Sequence, residues 1–159
     1  MAKDGLDFDM RGIAEMTKNL EQLGTRVAAR GPAAAVRAGS SVIIKEMRRR
    51  APNETGSLKK SMGQKVKNYR GNKTVTSIVG ARSKRYATAK GNRNPAYYAH
   101  LVELGVAPHR TGKRGMHPGF AARPFMRPAW DAAAPRARAA VIDKMKQVFD
   151  KEAKALTVK

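Results

Sequence analysis

The run PAYYAHLVELGVAPHRTGKRGMHPGFAARPFMRPAW, Pro95–Trp130, decides how the rest of the chain is read. It holds two apolar clusters, Pro95–Gly105 and Ala122–Trp130, separated by the Gly- and Arg-rich residues 106–121. Five of the chain's nine Trp, Tyr and Phe residues lie in it (Tyr97, Tyr98, Phe120, Phe125, Trp130), with Tyr86 just before. Aromatic side chains bury the most apolar area per residue. Both clusters are therefore expected to anchor the core, with Tyr98, Val102, Phe125 and Trp130 packed around a final helix. Pro95 suits the first turn of a helix; Tyr98, Leu101 and Val102 share a face of it, and Gly105 ends it.

Downstream, apolar residues recur with helical spacing through Val141, Met145, Val148, Phe149 and Leu156. They predict a long helix starting around Arg127–Trp130, with Pro135 in its first turns or at a kink and residues 157–159 frayed. Upstream, Met62–Tyr69 and Thr74–Ala81 read as two strands, the second rich in β-branched residues. Gly71-Asn72 between them is a hairpin turn signal. Residues 82–94 are basic and poor in apolar side chains, and with residues 106–121 they read as mobile loops or arms.

The N-terminal part begins with a short alternating strand at Gly5–Met10. A helical stripe follows at Ile13, Met16, Leu20, Leu23 and Val27. Gly31-Pro32 interrupts it and opens a second helix, with the stripe Val36, Ser40, Ile43 and Met47. Ala51 precedes Pro52, so that helix ends near Arg50. Thr55-Gly56-Ser57 is a turn in which Ser57 caps a short segment holding Leu58. The whole is an α+β fold forming a single domain over residues 1–159. A small antiparallel sheet packs against N-terminal helices and a long C-terminal helix, with long basic loops.

The net charge is +21, and residues 45–93 alone carry 15 basic and 2 acidic side chains. Such a field calls for an anionic partner. There are no cysteines, which removes disulfides, thiolate metal sites and a cysteine nucleophile. No apolar run is long enough to span a membrane, and no secretory signal opens the chain. Glu103 is the only carboxylate between Glu54 and Asp131, so paired-carboxylate chemistry has no partner for it. A structural ion pair with Arg123 or Arg127 is the expected role. His109 and His117 sit in one loop without acidic neighbours, and His100 is read as a helix-surface or interface residue; no metal or cofactor site follows. The Gly-rich residues 111–115 lack the strand–turn–helix setting of a phosphate loop. The chain is read as no enzyme. Tyr69 and Tyr86 among Arg and Lys leave a nonspecific nucleic-acid-binding protein, contacting the phosphate backbone, as the alternative reading.

Three motifs in order resemble one family. Ala51-Pro52 followed by Thr55-Gly56-Ser57-Leu58-Lys59-Lys60-Ser61 is similar to AP-x-x-TG-x-L-(K/R)-x-S. Tyr98–Gly105 resembles YA-x-x-VE-x-G, and Ala122–Ala129 resembles A-x-PF-(M/L)-RPA before a last helix. Together they resemble the tail components of long-tailed, lambdoid-type bacteriophages: head–tail joining, tail-completion or neck proteins. The resemblance implies a structural virion protein that forms a ring, hexameric or dodecameric, where tail meets capsid. Its partners would be itself, neighbouring neck and head-completion proteins, and tail-terminator or tail-tube proteins, with phosphate-backbone contact to genomic DNA in the lumen. It would reside in the virion at the head–tail junction, and in host cytoplasm during assembly. Pro52, Gly56, Leu58, Tyr98, Val102, Glu103, Gly105, Pro124, Phe125, Pro128 and Trp130 would carry the frame. Arg82, Lys84, Arg85, Lys90, Arg93, Arg110, Lys113 and Arg114 would face a neighbour or DNA.

Overall fold

The computed structural model describes residues 10–54, 56–69, 74–82, 94–112 and 115–157. Two long helices, α1 (Met10–Arg50) and α4 (Met126–Thr157), form its spine. Between them come α2 (Ser57–Ser61), β1 (Met62–Tyr69), β2 (Thr74–Ala81), α3 (Pro95–Leu104), β3 (His109–Thr111) and β4 (Gly115–His117). The expected strand at Gly5–Met10 lies outside the described residues apart from Met10, which is helical.

Gly31-Pro32 does not break α1, contrary to the sequence expectation. An interior proline removes one backbone hydrogen bond and costs about 3 kcal/mol. Packing against α4 offsets that cost. A Cβ added at Gly31 would lie 2.9 Å from the Met145 sulfur, and one added at Gly39 would lie 2.5 Å from Val141 Cγ2 and 2.9 Å from the Ala137 carbonyl oxygen. Small residues on α1 thus admit the larger side chains of α4. Toward the other end the sizes reverse: Ile43, Ile44 and Met47 of α1 share a buried cluster with Ala129, Ala133 and Ala137 of α4. The helices run antiparallel, since Arg30 meets Glu152 and Glu46 meets Arg136. Arg30 lies opposite Glu152, only five residues before the last helical residue of α4. The first turns of α1 therefore project past α4, and Ile13, Met16 and Leu20 are 49–60% exposed.

Strands β1 and β2 pair antiparallel from Met62↔Ala81 to Tyr69↔Thr74, within the bounds read from sequence; the turn residues 70–73 lie outside the described set. The hairpin lies on α1. Val66, Val75 and Val79 are half-buried on its inner face, while Lys65, Lys67, Tyr69, Thr74, Thr76 and Ile78 alternate outward. Helix α3 starts at Pro95 behind Asn94, whose side chain accepts from the Ala96 N–H, and stops at Gly105, as expected. Its buried residues are Pro95 and Ala99, flanked by half-buried Tyr98 and Val102; Leu101 is exposed rather than buried. Within residues 106–121, β3 and β4 form a three-residue ladder rooted by the Val106↔Phe120 bridge.

Candidate assembly surface

The three sequence motifs converge on one node. Ala51 and Leu58 from the first, Ala99 from the second, and Phe125 and Ala129 from the third belong to one buried cluster with Met47 and Met62. Tyr98 and Val102 pack against its edge. Gly56 stands at φ 71, in the left-handed region that favours glycine, and occupies the cap position before α2. Ser57, expected as the cap, is instead the first helical residue and buried. The reason is steric: the left-handed turn belongs to the residue without a Cβ. Pro52 is half-buried beside Ala51.

Glu103 holds the node together. Its carboxylate accepts the N–H groups of Phe125 (2.7 Å), Met126 (2.9 Å) and Arg127 (3.0 Å). The first N–H groups of a helix have no partner within it, and a negative charge there also meets the positive end of the helix dipole. One side chain of α3 therefore caps α4. Partial burial pushes the Glu103 carboxyl up, but the N–H groups of Met126, Phe125 and Arg127 outweigh it, so it sits below the usual value. The expected ion pair of Glu103 with Arg123 or Arg127 is replaced by this cap, and Arg123 instead reaches Glu54 at 3.6 Å on the surface. Gly105, at φ 76, brings the chain so close to residues 120–122 that an added Cβ would lie 2.7 Å from the Ala122 nitrogen. Arg123 N–H donates to the Val102 carbonyl, tying the same two segments. Pro124 is exposed and Pro128 half-buried in the first turn of α4. Trp130, expected in the core, is 54% exposed.

A second polar node escapes sequence reading. Glu46, buried on α1, receives Arg49 (2.6 Å), Arg50 (2.8 Å) and, from α4, Arg136 (3.5 Å). Hydrogen bonds from Arg49 and Arg50 hold its carboxyl at about 2. The helical spacing of Glu46, Arg49 and Arg50 was visible in sequence; the 90-residue link to Arg136 had no signal.

Of the basic residues expected to face a partner, Arg82 and Arg110 are exposed. Arg82 extends its aliphatic stem over Gly63. Lys84, Arg85, Lys90, Arg93, Lys113 and Arg114 lie outside the described residues. On the short hairpin His109 and His117 stack across the strands with ring centroids 5.1 Å apart. Among the described residues no three His, Asp or Glu side chains gather as a metal site would need. No described helix is long and apolar enough to cross a membrane.

Residues 14–105, more than half of the chain, match the family model described as "Bacteriophage HK97-gp10, putative tail-component". The chain belongs to the HK97-gp10-like family. No curated protein and no solved structure matches it. The match covers the first two motifs of this HK97-gp10-like chain, and the third lies beyond it. The structure joins the third to the others through Glu103 and Phe125. A tail component is a structural part of a phage particle, and its partners are other virion proteins.

Proposed function

We propose that the chain forms a homo-oligomeric ring at the head–tail junction, as a neck or tail-completion protein that joins tail to capsid. The observation that carries this reading is the number of separate faces on which large apolar side chains stay open. Ile13, Met16 and Leu20 lie on α1, Ile78 on the sheet, Leu104 and Met116 near the short hairpin, and Trp130 on α4, all at least 49% exposed. A freestanding subunit rarely leaves so much apolar surface in patches, and a subunit with neighbours on several sides needs it. The neighbours would be copies of itself and adjoining neck, head-completion, tail-terminator or tail-tube proteins. Ring closure requires two different patches per subunit that fit each other. The charge of +21 then serves acidic neighbours or the DNA passing through the lumen, with Arg82 and Arg110 among the candidate contacts.

Electron microscopy of the purified protein and of particles made without it tests the reading. The expected result is rings from the protein alone or with its neighbours, and full heads beside unattached tails when it is absent. Normally joined virions in its absence would overturn it. Tight, steeply salt-dependent DNA binding by a monomer that forms no rings would favour the nucleic-acid-binding alternative.

A further inference from the structure

Resting on the ring reading, we propose that the outer face of the β1–β2 hairpin, with the flank of α1 beside it, is a track for the sugar–phosphate backbone of duplex DNA. In the ring this face turns to the lumen.

The track is a row of cations on alternate residues of β1. The inner side of the hairpin packs on α1, and Lys65, Lys67 and Tyr69 are exposed on the outer side. Gly63 precedes them on the same face. Having no side chain, it leaves its place to Arg82: a Cβ added at Gly63 would lie 2.6 Å from Arg82 Cδ. Three positive groups thus follow one another at steps of two residues, about 6.7 Å each, and the ring of Tyr69 ends the row. Across the ladder, the exposed Thr74 and Thr76 pair with Tyr69 and Lys67. Ile78, opposite Lys65, is the one aliphatic side chain on this face and would pack beside the sugars.

Helix α1 adds a second row alongside. Arg37, Ser41, Lys45 and Arg48 are exposed and fall within about 80° of one another around the helix. Two bonds set this stripe against β1. Arg48 Nη2 donates to the Met62 carbonyl at 2.8 Å, and the Gln64 amide donates to Ser41 Oγ at 3.2 Å. Later residues of α1 meet earlier residues of β1, so Lys65 and Lys67 run on toward Arg37.

The charge on this surface has one sign. Neither strand holds a carboxylate, and neither does α1 from residue 22 to residue 45. Glu46 comes next, but it lies about 180° around the helix from Arg37, buried and paired with Arg49, Arg50 and Arg136. Other ion pairs among the described residues take up Arg30 and Arg123. Arg37, Lys45, Arg48, Lys65, Lys67 and Arg82 therefore keep their charge for a partner. Half of them are lysines, which protein–protein interfaces disfavour. Interfaces with DNA are strongly positive and draw most of their hydrogen bonds from phosphate and sugar, to which Arg, Lys and Thr side chains all donate. The partner that fits is a nucleic-acid backbone, bound without reading its sequence.

Anisotropy of a labelled, mixed-sequence DNA duplex, titrated with the full chain over a salt series, tests the track. Each phosphate contact adds about 0.9 to the slope of log affinity against log salt. Lys65→Gln, Lys67→Gln and Arg82→Gln together should lower that slope by about 2.7 and weaken binding by about tenfold or more at physiological salt. Lys65→Gln with Lys67→Gln alone should lower it by about 1.8, which serves if Arg82→Gln disturbs the strand end. Arg138→Gln, Lys146→Gln and Lys151→Gln, exposed on α4, remove the same charge and should leave the slope nearly unchanged. Equal losses in the two triple variants, or no duplex binding by the wild type at low salt, would overturn the track. So would a hairpin variant that holds DNA as the wild type does but no longer captures its virion neighbours, because the face would then belong to an acidic protein. Rings whose DNA affinity ignores the hairpin triple would refute the track and leave the ring reading standing. Wild type that binds DNA through these residues and never forms a ring would do the reverse.

Discussion

Replacing Glu103 should show how much stability one carboxylate contributes by capping α4. Through three bonds from backbone N–H groups, 2.7–3.0 Å long, this one side chain of α3 closes the start of α4. Hydrogen bonds to charged groups contribute about 1.5–3 kcal/mol each when buried, and loss of a helix cap costs about 0.5–2 kcal/mol. Glu103 is only half-buried, so solvent takes over part of the work and the three bonds do not add. Glu103→Ala is expected to cost about 2–3 kcal/mol, a fall of roughly 4–12 °C in melting temperature for a domain of this size. Glu103→Gln keeps one acceptor oxygen and loses the charge, and should cost about half as much. The pH dependence carries the sharper test. The folded carboxyl lies below its unfolded value. Its contribution is therefore complete above the ordinary Glu range near 4.3–4.5 and is lost as pH falls through the lowered value. Urea unfolding of wild type and Glu103→Gln should show a gap at pH 7 that narrows progressively below pH 4. A gap that is absent at neutral pH, or unchanged in acid, would refute the cap as the source of the stability.

The close approach of the two long helices gives a second prediction. Gly39→Ala should destabilise by about 1–3 kcal/mol, because the new methyl overlaps Val141 and the Ala137 carbonyl. Gly24→Ala, with nothing within 4 Å, should instead stabilise by about 0.5–1 kcal/mol; chemical denaturation of the two variants side by side checks the contrast in sign. A third concerns the aromatic pair at the start of α4. Phe125→Ala, at a site with no exposure, should cost about 3–5 kcal/mol, whereas Trp130→Ala should leave unfolding within about 1 kcal/mol of wild type. Equal losses in both would show that Trp130 is packed after all.

Elements whose signals are local were legible in the sequence. The hairpin follows from a β-branched alternating run, and α3 from a proline at its start and a glycine after its end. What stayed hidden depends on partners far along the chain. Pro32 reads as a break because the contacts that keep α1 whole come from Val141 and Met145, about a hundred residues later. Glu103 reads as an ion-pairing residue because its N–H donors lie 22–24 residues away and carry no charge. Trp130 reads as core by composition, yet the buried row runs Phe125, Ala129, Ala133 and Ala137, in steps of four. Trp130 sits one residue off that row, turned about 100° from it. The three motifs announced a family, and only the structure shows that they do so by meeting at one node.

The antiparallel pairing of α1 with α4 has a kinetic consequence. The most extensive packing among the described residues joins the two ends of the chain, so its contacts have high sequence separation and are slow to form. During synthesis the ribosome releases α1 first, with Ile43, Ile44 and Met47 bare until α4 emerges. The family-matched residues 14–105 alone lack that second helix. Expressed without α4 they should collapse or aggregate, whereas the full chain gains its cooperativity from the last segment to be made.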